Sequence, residues 1–132
     1  MKVPTVIESV APQFTVSDVV RTAEYYRDVF GFEIRGYWGE PPVFAIVARD
    51  SVELYFNLAA PDTVPRTGRV DGGYDAYFKV RGVEALAAAL KKQGAEVIEG
   101  PEVREYGMVE LVVRDCNGLI LAFGEEVPAG AT

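Results

Sequence analysis

Two stretches of this chain, Pro12 to Ile34 (PQFTVSDVVRTAEYYRDVFGFEI) and Ala76 to Ile98 (AYFKVRGVEALAAALKKQGAEVI), carry the same pattern of strand, helix and strand. With Val16 set on Val80, Asp18-Val19 falls on Gly82-Val83, and a one-residue adjustment brings Gly31-Phe32-Glu33-Ile34 onto Gly94-Ala95-Glu96-Val97. A solenoid needs three or more such units to bury a core. Two copies therefore predict one domain made of two similar halves. The length of 132 residues fits a single domain, and a hydrophobic share of 49% is enough to build its core.

Each half reads as a βαβββ unit. In the first, Gln13 to Val16 is a short strand, and Ser17 or Asp18 stands at the N-cap position. Val19, Ala23, Tyr26 and Phe30 then form one apolar helix face until Gly31 stops the helix. Strands follow at Phe32–Trp38, Val43–Ala48 and Val52–Asn57, separated by Gly39-Glu40-Pro41-Pro42 and by Asp50-Ser51. In the second half the strand Tyr74–Val80 leads into a helix over Val83–Gln93, with Val83, Leu86, Ala87 and Leu90 inward. A strand at Ala95–Glu99 ends in a loop opened by Gly100-Pro101. Strands Met108–Arg114 and Leu119–Gly124 then flank a turn at Asp115-Cys116-Asn117-Gly118. The units span 11–57 and 74–125, joined by an exposed linker at 58–73 and followed by a loose tail at 126–132 whose pattern fades from Glu125. The fold class is α+β, with Tyr26, Phe30 and Phe123 in the core.

Charge narrows the partners. Twenty acidic against 13 basic residues give a net charge of -7, which repels nucleic-acid phosphates and favours cationic ligands. No apolar run is long enough to cross a membrane, and the N-terminal residues lack the apolar centre of a signal peptide, so the expected location is the cytoplasm. Cys116 is the only cysteine, which rules out an internal disulfide. It sits in a turn without a partner base, the setting of an unreactive thiol. The chain has no histidine, which removes Ser-His and Cys-His nucleophile systems and the commonest catalytic metal ligand.

Binding signals remain. Trp38, Tyr37, Phe44, Tyr55, Tyr77 and Tyr106 fall on strands and loops that would rim a cavity, where flat rings clamp planar ligands. Asp75, Glu53 and Glu110 face the same cavity by strand alternation and would suit a cation.

The segments FTVSDVVRTAEYYRDVFGFEI and YGMVELVVRDCNG resemble the entry and exit motifs of the vicinal oxygen chelate superfamily, which contains glyoxalase I, extradiol dioxygenases, fosfomycin-resistance enzymes and bleomycin-resistance proteins. The resemblance implies tandem βαβββ units curled into one barrel-like mixed sheet around a cavity, with helices outside, and a homodimer with pockets formed between subunits. Its metal-ligand positions fall at Ala11, Tyr55, Asp75 and Ala122, of which only Asp75 is a reasonable ligand. The chain therefore looks like the metal-free, bleomycin-resistance-type members, which sequester a small molecule without cofactor or metal. The expected ligand-binding residues are Trp38, Tyr55, Asp75, Tyr77, Tyr106, Gln13 and Glu53, with no catalytic residue. A second reading is a divergent lyase, isomerase or dioxygenase that recruits a metal through Asp75, Glu53 and Gln13.

Overall fold

The computed structural model describes residues 4–63, 65 and 73–128. Its first unit runs β1 (Gln13–Val16), α1 (Val19–Asp28), β2 (Glu33–Trp38), β3 (Phe44–Arg49) and β4 (Val52–Leu58). Helix α1 starts where Asp18, in extended conformation, accepts the Arg21 N–H on its Oδ1 at 2.9 Å. It stops ahead of Gly31, whose φ of +75° a side chain would strain. The four strands lie in the order β1-β4-β3-β2, with β1 parallel to β4 and the other pairs antiparallel.

The second unit repeats this plan: β5 (Ala76–Lys79), α2 (Val83–Lys92), β6 (Glu96–Val103), β7 (Met108–Arg114) and β8 (Ile120–Glu126), in the order β5-β8-β7-β6. The same register recurs, since Phe44 faces Asn57 in one sheet and Glu110 faces Gly124 in the other. The α+β architecture of two βαβββ units is thus present, and the single barrel-like sheet is replaced by two four-stranded sheets that are not closed on each other.

Several boundaries differ from the sequence reading. Strand β5 is shorter than Tyr74–Val80, and β6 does not end before Gly100-Pro101 but continues to Val103. As an edge strand β6 loses no ladder bond on its open side when proline removes an N–H, and two register shifts absorb the irregularity. Gly100 is required there because it has φ +86° and an added Cβ would sit 2.1 Å from the Glu110 carbonyl oxygen. Glu125 and Glu126, expected to loosen into a tail, belong to β8. Val127 N–H then bonds the Gly107 carbonyl at 2.9 Å. Most of the proposed 58–73 linker, and residues 129–132 of the tail, lie outside the described residues.

Each helix covers one face of its own sheet, and alternate strand residues point to it. Val19, Ala23 and Tyr26 of α1 meet Ala45, Val47, Leu54 and Phe56, while Val83, Ala87 and Leu90 of α2 meet Leu111, Val113, Leu121 and Phe123. These residues form one continuous core across both units, and the rings of Phe30 and Phe123 cross the junction at 6.5 Å.

A buried polar contact fixes that junction. Tyr26 Oη donates to Asp115 Oδ2 at 2.6 Å, and Asp115 Oδ1 accepts from Asn117 N and Leu119 N at 2.8 and 2.9 Å. Beside it, Asn117 Nδ2 donates to Thr22 Oγ1 at 3.0 Å. Burial raises the Asp115 carboxyl above its ordinary range, though its donors pull the other way. Burial, with the Asp115 charge next, raises the Tyr26 phenol strongly. Tyr26→Phe keeps the ring and leaves Asp115 one donor short, so urea denaturation should show a loss of about 1–3 kcal/mol. An unchanged urea midpoint would mean that the junction does not depend on this bond.

Candidate functional site

The faces turned away from the helices carry the remaining polar and aromatic side chains. On the first sheet, alternation puts Gln13, Glu53, Tyr55, Phe44 and Trp38 on this open face, with Gln13 directly opposite Tyr55 and Trp38 opposite Phe44. Three rings form a row: Trp38 to Phe44 with centroids 5.7 Å apart, and Phe44 to Tyr55 at 5.5 Å, both edge-on. Gly36 makes room for the row, because an added Cβ would stand 3.0 Å from the Trp38 ring. The indole is 49% exposed, unusual for tryptophan on a strand that has a hydrophobic core behind it. Tyr37 does not belong to this group. It alternates to the helix side, where burial and the Glu24 charge raise its phenol pKa.

The open face of the second sheet is centred on Glu110, which is 1% exposed. A buried carboxylate is costly unless donors surround it, and here they do. Tyr77 Oη donates to Oε2 at 2.7 Å, Arg104 Nε to Oε1 at 3.0 Å and Tyr74 Oη to Oε1 at 3.4 Å. Burial pushes the Glu110 carboxyl up, but the bonds from Tyr106, Tyr77 and Arg104 outweigh it and hold the group below its ordinary range. The phenols respond in the opposite sense. Tyr77 rises strongly through burial and its bond to Glu110, and Tyr106 is pushed up to about 12 by its own bond to Glu110 and by burial. Arg104 also pairs with Glu99 and Glu102, each at 3.3 Å, so one guanidinium serves three carboxylates.

Gly124 is the hidden requirement of this cluster. Tyr77 lies over it so closely that an added Cβ would meet the phenol oxygen at 1.9 Å. Asp75 stands at the edge of the same face, where its Oδ2 accepts the Ile120 N–H at 2.8 Å. Below the cluster, Val112, Ile120 and Ala122 form a small apolar floor against Tyr74.

Sequence and structure comparisons complement this geometry. The Glyoxalase/Bleomycin resistance protein/Dioxygenase superfamily matches residues 7–123. The chain belongs to that superfamily. A comparison with curated proteins gives no match. Among solved structures, TioX from Micromonospora sp. ML1 is 17% identical with a TM-score of 0.73, covering 91% of this chain and 99% of that one. A glyoxalase-related enzyme from Clostridium phytofermentans is 15% identical with a TM-score of 0.74, covering 96% and 100%. TnmS3, described as an antibiotic binding protein from Streptomyces sp. CB03234, is 20% identical with a TM-score of 0.69, covering 92% and 99%. At these identities the likeness shows a shared fold.

The metal positions of the superfamily can be tested against the residues that occupy them here. Ala11 and Ala122 offer methyl groups, and the Asp75 carboxylate already holds a backbone N–H. Among the described residues no group of three or more acidic or cysteine side chains converges as a metal site would require. This donor set does not fit the superfamily's metal. Cys116 is likewise unsuited to nucleophilic chemistry, because burial and the Asp115 charge push its thiol up to about 11.

The seven expected ligand residues therefore separate into a first-sheet group (Gln13, Trp38, Glu53, Tyr55) and a second-sheet group (Asp75, Tyr77, Tyr106). Glu110, Arg104 and Tyr74 complete the second. Glu110 had a signal in the sequence, a lone acid inside the apolar run MVELVV, whereas Arg104 lies in a loop and had none. A separate cleft of about 1110 Å³ opens between α2, the β3–β4 turn and the end of β8, lined by Phe30, Phe78, Leu86 and Phe123. None of the seven lines it. On its rim Glu125 accepts the Val83 N–H at 3.0 Å and Arg49 bonds the Phe30 carbonyl at 2.7 Å.

Folding lowers the Glu110 pKa, so the stability it supplies is present above its unfolded value and lost as the pH falls through the folded one. The stability difference between wild type and Glu110→Gln should accordingly shrink between about pH 5 and about pH 3. Asp115, whose pKa is raised, acts in the opposite sense but is common to both proteins. Urea melts at stepped pH check this, and a difference that stays constant over that window would contradict it.

Proposed function

We propose that this protein binds a planar, cationic small molecule in a pocket formed between two subunits, with the aromatic row of one and the Glu110 cluster of the other as its two walls. The observation that carries this reading is the complementary chemistry of the two open faces at matching positions of the repeat. Phe44, opposite Asn57, stands in one sheet where Glu110, opposite Gly124, stands in the other. One wall offers ring faces for stacking and the other a field of negative charge. Both sheets are backed by the same core, which favours each open face meeting its complement on a second copy.

The N-terminal arm supports the dimer. Val6, Ile7 and Val10 are 81%, 89% and 86% exposed in the single chain, a row of aliphatics that a partner would remove from water. TnmS3 is described as an antibiotic binding protein, which makes drug sequestration the favoured biological role. No helix of the described residues is long and apolar enough to cross a membrane, in keeping with a cytoplasmic binding protein.

A thermal-shift screen of planar cations should find a ligand, and at 100 times its dissociation constant that ligand should stabilise the protein by roughly 2.7 kcal/mol. Calorimetry should then show that Trp38→Ala weakens it by about 1–3 kcal/mol. A screen without a hit, or a hit indifferent to Trp38, would remove the aromatic wall from the site. Deleting residues 1–10 should convert the dimer to monomer in sedimentation, with β1 onward intact by circular dichroism. A truncated chain that remains dimeric would contradict the role of the arm.

A further inference from the structure

The Glu110 cluster bears on which polar groups a ligand can present, and this rests on the binding reading above. A carboxylate is an acceptor only, so a phenol that contacts it must spend its proton on it. Tyr77 does so at 2.7 Å and Tyr74 at 3.4 Å. Once the proton is committed, a phenol oxygen has only lone pairs left to offer. Tyr77 is 41% exposed, so its phenol stands on the open face where a ligand would lie.

The nearby cations do not reverse this polarity. Arg104 is flanked by Glu99, Glu102 and Glu110, which leaves the group with an excess of negative charge. Lys79 and Arg114 are paired with Glu126 and Glu96. We infer that Glu110 turns the tyrosines of the second sheet into an acceptor-only surface, which selects ligands bearing N–H donors, above all amidinium or protonated amine groups on a planar frame, and rejects isosteres that present acceptors. Tyr77 would meet the ligand, and Glu110 is the positioning residue that fixes its proton from beneath.

Three planar probes of nearly equal shape separate donors from acceptors: benzamidine, which is cationic at neutral pH and only donates, benzamide, which does both, and benzoate, which only accepts. Dissociation constants from NMR titration of the full chain should rise in that order, with benzamidine bound about tenfold or more tighter than benzoate. Tyr77→Phe leaves Glu110 with Tyr74 and Arg104, and should narrow that ratio by about threefold or more through weaker benzamidine binding. Glu110→Gln supplies an amide donor to the phenol oxygens, freeing their protons to point outward, and should tighten benzoate relative to wild type. Tyr77→Phe keeps the buried charge and serves as the test if Glu110→Gln fails to fold. Wild-type affinities for the three probes within about threefold of one another would overturn donor selection while leaving the aromatic pocket standing. Binding of none of them, together with an empty screen of planar cations, would overturn both.

Discussion

The bond from Tyr26 to Asp115 holds the two halves of the molecule in register. A carboxylate placed at the junction of two units cannot remain buried without donors, and its donors come from both sides: a phenol on α1 and two backbone N–H groups in the β7–β8 turn. That requirement sets how far and at what angle the second unit approaches the first. The apolar contacts around it, Phe30 against Phe123 among them, are non-directional and could be satisfied in several arrangements. The polar bond selects one. Tyr26 and Asp115 also come from the two segments that resemble the superfamily's motifs, which gives those motifs a physical meaning as halves of one lock.

With the helix-covered faces committed to the core, the open faces are free to differ. Repetition supplied two nearly identical frames, and the differences lie in the side chains at matching sites. Phe44 extends an aromatic row, whereas Glu110 gathers a cluster of tyrosines and an arginine. Each arrangement has a glycine beneath it, Gly36 under Trp38 and Gly124 under Tyr77. A large ring can lie flat on a strand only where the strand gives up a side chain, so these glycines belong to the site as much as the rings do.

Glu110 also illustrates how aimed donors can outweigh the burial of a charge. Desolvation alone would drive its proton on, but enough donors are aimed at it to keep it ionised. Such a group is expensive to build and polarises its surroundings. Its phenols are held protonated and oriented, and Arg104 is held in a fork of carboxylates. The outcome is a rigid polar wall on the second sheet beside a softer aromatic wall on the first.

The repeat, the glycine stops at Gly31 and Gly94 and the strand alternation determined the order of elements, the α+β class and the helix-facing core, because periodicity and backbone conformation are local properties written residue by residue. Alternation also separates the neighbours Tyr37 and Trp38 onto opposite faces, which their grouping as rim aromatics had overlooked. Only the tertiary structure decided that Glu110 is the centre of its cluster and that Arg104 and Tyr74 join it, since these follow from cross-strand register and from a loop whose path no local pattern encodes. It likewise decided that the strands form two sheets sharing one core, because the placement of one unit on another depends on contacts as distant in sequence as Tyr26 and Asp115.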